Sequence, residues 1–282
     1  MRYFDAHTHV QFVAYDADRD EVFARAREAE VGMNLVGTQL DTSRAAVMCA
    51  EKEMGDVYAS VALHPVHTAK SYHDTQELGG EGKAFTSRGE IFDFAAYEEL
   101  GKSNRVIAIG ECGLDYYRLE EDTKKLQQEV FVQHIELANK LGKPLMLHIR
   151  DGAHQSGSDA GAYKDALELL KTHAKVQGDV HFFAGNWDIA RQFLNLGFTL
   201  SFTGVLTFTH DYDEVVRNAP VDMLLTETDA PYITPVPYRG QRNEPVHVRE
   251  VVRAMAGIKN ISEEAMTAQI ILNSRRVFAI DK

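Results

Sequence analysis

Ligand-type side chains recur at one kind of position in this 282-residue chain. His7 and His9 close the β-prone stretch Tyr3–Ala6, Glu111 follows Val106–Ile109, and His148 follows Pro144–Leu147. His181 lies within Asp179–Phe183, and Asp229 comes just after Met223–Thr226. In His7-x-His9 both imidazoles fall on the same side of an extended strand, because side chains alternate with period two. An isolated His-x-His is a weak signal, and each of the other four residues has an ordinary structural explanation. Six such residues from five strands read as donors to one metal centre. Four imidazoles and two carboxylates exceed the three protein ligands of a typical catalytic zinc, and mixed nitrogen and oxygen ligation suits Zn, Mn, Fe, Co or Mg. Two divalent ions are therefore expected, with His7, His9 and Asp229 on one, His148 and His181 on the other, and Glu111 as the bridge. A pair of ions acidifies and orients a shared water and steadies both attacking and leaving oxygens, which is hydrolytic chemistry. Asp229 is the expected proton acceptor. Asp5 and Glu227, of matching strand parity one step below the rim, are expected to orient the imidazoles.

The donors around such a centre bear on the substrate. Arg150, two residues past His148, and Arg118, Arg239 and Arg242 in other loops carry forked guanidinium groups suited to phosphate oxygens, which favours a phosphoester. His64, just before Pro65, and His67 are placed to touch substrate or to fix a loop. His134 reads as a histidine at the edge of the core and His173 as a helix-terminal one. Cys112, next to Glu111, faces away from the site and packs.

Positioning these residues requires a repeated scaffold. Eight strand candidates, Tyr3–Ala6, Met33–Thr38, Val57–Leu63, Val106–Ile109, Pro144–Leu147, Asp179–Phe183, Phe198–Phe202 and Met223–Thr226, alternate with helical stretches. The helices are expected over Arg19–Glu30, Thr42–Met54, Asp93–Leu100, Thr123–Leu141, Ala160–His173, Asp188–Leu196 and Asp211–Asn218, with two more after the last strand. Thr123–Leu141 carries Leu126, Val130, Leu137 and Leu141 on one stripe, and Gly142 and Pro144 stop it. Strands apolar on both faces, alternating with helices, predict an α/β fold: a TIM-type (β/α)8 barrel with its metal site at the C-terminal rim, formed by one domain over residues 1–282. An open doubly wound sheet is the other candidate, weakened by the lack of a Gly-rich loop after the first strand. The glycine-rich stretches Ser71–Glu90 and Gly152–Gly161 are expected as loops over that rim.

Composition narrows the class. Hydrophobic residues make up 44% of the chain and charged residues 26%, ordinary for a globular protein with a core. Apolar runs are far shorter than the roughly 18 residues of a membrane span, and the opening residues lack the pattern of a secretory signal. With only two cysteines, Cys49 and Cys112, the chain is expected in the reducing cytoplasm. A net charge of −12 opposes broad adhesion to polyanions, so any nucleic acid must be held by the metal cleft. No membrane association or obligate protein partner is expected.

The segments Phe4-Asp5-Ala6-His7-Thr8-His9, Leu63-His64-Pro65, Gly110-Glu111-Cys112-Gly113-Leu114-Asp115-Tyr116, Leu147-His148-Ile149-Arg150 and Glu227-Thr228-Asp229-Ala230-Pro231-Tyr232 follow one another in the order typical of TatD-type metal-dependent deoxyribonucleases, and the chain resembles that family over nearly its whole length. The resemblance implies a barrel of the amidohydrolase superfamily, a divalent-metal site at His7, His9, Glu111, His148, His181 and Asp229, and phosphodiester hydrolysis on DNA. Some members act as 3′–5′ exonucleases on single-stranded ends. The sequence departs from the family in the length of the loops Ser71–Glu90 and Gly152–Gly161, which look longer than usual, and in two motifs. The sixth-strand His-Cys-Phe-Ser-Gly common in relatives is His181-Phe182-Phe183-Ala184-Gly185 here, and His-Pro-His becomes His64-Pro65-Val66-His67. Two other readings stay open on the residues alone: a barrel hydrolase acting on an amide, lactone or aminoacyl ester, and a non-catalytic metal-binding scaffold.

Overall fold

Eight short parallel strands run in chain order around a ring in the computed structural model, which describes residues 1–53, 55–70, 72–73, 85–86, 89–117, 123–152 and 161–280. They are β1 (Tyr3–Thr8), β2 (Val31–Val36), β3 (Val57–Val61), β4 (Val106–Asp115), β5 (Leu145–Arg150), β6 (Gly178–Val180), β7 (Thr199–Phe202) and β8 (Leu224–Thr226). Seven neighbouring pairs form parallel ladders. The seam between β8 and β1 is joined past the end of β8 by a parallel bridge from Thr8 to Ala230, with the His9 N–H donating to the Ala230 carbonyl at 2.8 Å. This nearly closed ring is the predicted TIM-type barrel rather than the open sheet.

Helices α1 (Arg19–Glu28), α2 (Leu40–Lys52), α3 (Phe94–Gly101), α4 (Thr123–Leu141), α5 (Ala162–His173), α6 (Trp187–Asn195) and α7 (Asp213–Asn218) occupy the intervals between strands, and α8 (Val248–Lys259) and α9 (Glu263–Phe278) follow the last strand. A two-residue antiparallel ribbon, Tyr72–His73 with Phe85–Thr86, lies between β3 and α3. Most of the expected loops 71–90 and 152–161 lies outside the described residues. Local chemistry starts several helices: the side chains of Asp93, Asn186 and Ser262 accept backbone N–H groups of α3, α6 and α9. The buried face of α4 carries Gln127, Val130, Phe131, His134, Ile135, Leu137 and Ala138. Leu126, expected on that stripe, is exposed in the first turn of the helix.

The main hydrophobic core lies among strands and helices, and a smaller cluster packs Phe4, Ala6, Ala108, Met146 and Leu225 against Phe278 and Ile280 at the end of the chain. Strand ends differ from expectation in ways that matter for the site. β4 does not stop at Ile109 but continues through Gly110 and Gly113 to Asp115. A Cβ on Gly110 would lie 2.3 Å from the Met146 carbonyl oxygen, and one on Gly113, whose φ is +142°, would lie 2.1 Å from that of His148. Both glycines thus let β4 press against β5 rather than ending it. β6 is shorter than expected and stops at Val180, so His181 stands just beyond it.

Candidate metal centre

The side chains of His7, His9, Glu111, His148, His181 and Asp229 meet at the C-terminal ends of the strands, as expected. Glu111 is their hub. Its Oε1 lies 2.9 Å from His148 Nδ1, 2.9 Å from His181 Nε2 and 3.3 Å from His64 Nε2. Its Oε2 lies 3.4 Å from His7 Nε2 and 4.0 Å from His9 Nε2. Asp229 joins the second set, with Oδ1 3.3 Å from His9 Nε2 and 3.9 Å from His7 Nε2. Its backbone, at φ +52°, donates to the His7 carbonyl at 2.9 Å, which ties the turn after β8 to β1.

This cluster has the chemistry of a cation site. The Nδ1–H of His9 donates to the Val36 carbonyl at 2.7 Å, leaving a lone pair on the Nε2 that faces His7 Nε2 at 3.2 Å. The rings of His7 and His181 are stacked with centroids 3.8 Å apart. Two buried ring nitrogens, His7 Nδ1 and His181 Nδ1, have no hydrogen-bond partner among the described residues; the latter lies 3.3 Å from Glu227 Oε1 but out of hydrogen-bonding alignment. Imidazole nitrogens crowded this closely around one carboxylate, with buried polar atoms unsatisfied, fit divalent-metal binding. Triads His7–His9–Glu111, His7–His181–Glu227 and His64–Glu111–His148 each present ligand atoms within 4.8 Å of one another.

Burial pushes the Glu111 carboxyl up, but the imidazoles of His64, His181 and His7 and the His148 hydrogen bond overcome it and hold the group well below the ordinary carboxylate range. Burial, with the nearby His148, brings the His64 imidazole down to about 4. Asp115 is also buried, yet its hydrogen bond to His148 holds it down to about 2.

Asp115 was not among the expected site residues. Its Oδ2 accepts from His148 Nε2 at 2.9 Å, which orients the ring so that Nδ1 faces Glu111 Oε1 at 2.9 Å; burial lowers the pKa of this imidazole, but the two carboxylates overcome it and raise it. The carboxylate is aimed by its surroundings. Gln127 of α4 accepts the Asp115 N–H at 2.8 Å and donates to its carbonyl at 3.0 Å, while the Tyr117 N–H binds Asp115 Oδ1 at 3.0 Å. Its signal was present in the sequence, because Glu111, Gly113 and Asp115 alternate with period two; ending the strand at Ile109 hid it.

The two acids expected below the rim are both buried, and they act differently. Glu227 faces His181 and accepts the Phe182 N–H at 2.7 Å, while the Ser201 hydroxyl links it at 2.7 Å to Asp179. Asp5 does not reach an imidazole. It accepts the backbone N–H groups of Thr228 at 2.8 Å and His7 at 3.3 Å and the Thr228 hydroxyl, so it fixes the chain beside Asp229 and His7.

Among the arginines, Arg150 lies 3.9 Å above the Tyr117 ring at the end of β5. Arg239 donates to the Thr234 carbonyl at 2.8 Å and lies 4.4 Å above the ring of the exposed Phe208. Arg242 is not presented as a phosphate ligand: it grips Asp18 through both nitrogens at 2.8 and 2.6 Å and covers the Tyr15 ring. Charge pairing within the chain took this guanidinium, a partner that spacing alone could not reveal. Arg118 lies outside the described residues. His134 is fully buried rather than at the core edge, and both its nitrogens are bonded, Nδ1–H to the Val130 carbonyl at 2.8 Å and Nε2 to the Leu63 N–H at 3.0 Å. Cys112 is buried in the core, as expected.

The family model described as TatD related DNase matches residues 4–279. The chain belongs to the TatD family. An uncharacterized metal-dependent hydrolase of Bacillus subtilis (strain 168), YabD, is 34% identical to this TatD-family chain over 284 residues, covering 99% of each. The uncharacterized metal-dependent hydrolase TatD of Mycobacterium tuberculosis is 33% identical over 286 residues, covering 98% of this chain and 97% of its own. The crystal structure of YJJV, a TatD homologue from Escherichia coli K12, superposes with a TM-score of 0.80 at 24% identity over 99% of each chain. The phosphotriesterase homology protein of E. coli, solved with phosphate in its active site, superposes with a TM-score of 0.59 at 14% identity over 98% of each. Those two structures bear on the fold. The family and its relatives identify this TatD-family chain as a metal-dependent hydrolase, and its histidine and carboxylate cluster fits that dependence.

Proposed function

We propose that this chain hydrolyses phosphodiester bonds of DNA, releasing nucleotides from single-stranded ends in the 3′ to 5′ direction, with two divalent cations (Mg, Mn or Zn) at the rim of the barrel. One observation carries the reading: the two oxygens of Glu111 face separate sets of imidazole nitrogens, His148 and His181 on one side and His7 and His9 on the other. A carboxylate so placed is suited to bridge two cations, a common arrangement for phosphoester hydrolysis. When bound, the ions supply Lewis-acid chemistry, making a water nucleophilic near neutral pH and countering charge on the phosphoryl group.

The protein's own groups do the rest. His7, His9 and Asp229 would hold one cation, His148 and His181 the other, with Asp115 orienting the His148 ring and Glu227 facing that of His181. Asp229 is the group placed to accept the proton of the attacking water. The Arg150 guanidinium, fixed over Tyr117, is offered to phosphate oxygens. The family description supports DNA as substrate. Cys49 and Cys112 are both free, which supports placing the enzyme in the reducing cytoplasm; among the described residues no helix is long and apolar enough to cross a membrane.

The test is hydrolysis of single-stranded oligonucleotides, labelled at either end, by protein loaded with Mg or Mn. Mononucleotides are expected from the 3′ end, with activity falling at least about a thousandfold in Glu111→Ala. Intact DNA alongside hydrolysis of a lactone or aminoacyl ester would transfer the assignment to another substrate class.

A further inference from the structure

His64 is close enough to Glu111 and His148 for distance alone to count it as a metal ligand. Its hydrogen bonds say otherwise. The imidazole caps the single 3-10 turn Pro65–His67, and its Nδ1 accepts the Val66 N–H at 3.2 Å. A backbone N–H can only donate, so the Nδ1 lone pair is used there and the ring proton resides on Nε2. That Nε2 is the nitrogen directed into the centre, 3.3 Å from Glu111 Oε1. The pattern is opposite in His9, where the bond to the Val36 carbonyl places the proton on Nδ1 and leaves a lone pair on the Nε2 that faces the cluster. Hydrogen bonding thus distinguishes His9, a lone-pair donor fit for a cation, from His64, an N–H donor fit for an oxygen.

The ring is also held rigidly. The His64 N–H donates to the Thr38 carbonyl at 2.9 Å, the preceding Leu63 N–H is held by His134, and the His64 ring lies 4.2 Å from that of His148. We propose that His64 is a catalytic hydrogen-bond donor outside the metal-ligand set, whose Nε2–H engages a non-bridging oxygen of the substrate's phosphoryl group. The bond requires no proton transfer. It adds a fixed dipole where phosphoryl charge grows during attack, the kind of aligned donor whose loss typically costs about a hundredfold or more in turnover. It rests on the phosphodiesterase reading above.

His64→Asn separates the possibilities, because an Asn side chain can still accept the Val66 N–H as a cap while removing the Nε2–H. The probes are Mn(II) and inorganic phosphate, titrated calorimetrically into the variant and the wild type, followed by kinetics on a single-stranded oligonucleotide. The expected result is unchanged Mn(II) stoichiometry, Mn(II) affinity within about threefold and an unchanged Tm. Phosphate binding to the Mn-loaded protein should weaken about tenfold, the scale of one hydrogen bond to a charged group, and kcat should fall about a hundredfold. Loss of one Mn(II) equivalent would make His64 a ligand and overturn the proposal. Wild-type phosphate affinity in His64→Asn, with His64→Ala less stable, would reduce the residue to a cap and also overturn it. If the wild-type protein cleaves no oligonucleotide, the proposed function fails, while the Mn(II) and phosphate titrations still decide the role of His64.

Discussion

His148 is bonded at both ends, by Glu111 and by Asp115, and the second bond orients the ring so that Nδ1 faces the centre. Asp115→Asn keeps the backbone clamp from Gln127 but lets the ring adopt either tautomer. Mn(II) affinity measured by calorimetry should drop about 10- to 100-fold while far-UV circular dichroism is unchanged. Arg242 makes the opposite case, a residue whose sequence context suggests phosphate but whose partner is Asp18. Arg242→Ala should leave KM for single-stranded DNA unchanged and cost about 0.5–1 kcal/mol in urea unfolding, a modest value because the pair is partly solvent-screened. The metal-type residues were legible because their positions repeat at strand ends. Asp115 and the Asp18–Arg242 pair were not, since one depended on a strand boundary and the other on two segments far apart in the chain.

At the level of elements, β4 and α4 carry much of the precision. Gly113 permits the approach of β4 to the His148 backbone, so Gly113→Ala should destabilise the protein by at least about 2 kcal/mol. It should also lower Mn(II) stoichiometry, because the strand cannot keep its register with a methyl group 2.1 Å from the His148 carbonyl oxygen. His134 in α4 links helix to site through Leu63. Burial lowers its pKa to about 4 in the fold, whereas an unfolded histidine titrates near 6.5. Between those values the unfolded chain binds the extra proton, so the His134 contribution is complete above pH 6.5 and is lost as pH falls toward 4, by at most about 1.4 kcal/mol per pH unit. In urea unfolding across that window, His134→Gln should show a shallower decline of stability with falling pH than the wild type. An equal slope would mean the buried imidazole is not what titrates.

For the whole molecule, net charge and metal content set the behaviour. Removal of bound ions with EDTA should abolish hydrolysis, and adding back Mn(II) should restore it and raise Tm, because the ions bind only the folded arrangement of strand ends. On the proposed reading, a net charge of −12 leaves contact with DNA to the metal cleft and a few guanidinium groups. A plot of log K against log salt should therefore have a slope shallower than about −2, corresponding to few neutralised phosphates. A steeper slope would point to an extended basic track.

The alternation of strands and helices, the barrel it implies and the six residues at the strand ends were all determined by the sequence itself, because local periodicity and residue type suffice for them. Tertiary structure alone decided which nitrogen His9, His64 and His148 turn toward the centre, since that depends on the Val36 carbonyl, the Val66 N–H and the Asp115 carboxylate, each brought to its ring by the fold. It likewise decided that Asp5 braces the backbone while Glu227 faces an imidazole, and that Arg242 is taken by Asp18. A hydrogen bond is directional and short, and its partner is fixed only when separate segments have packed.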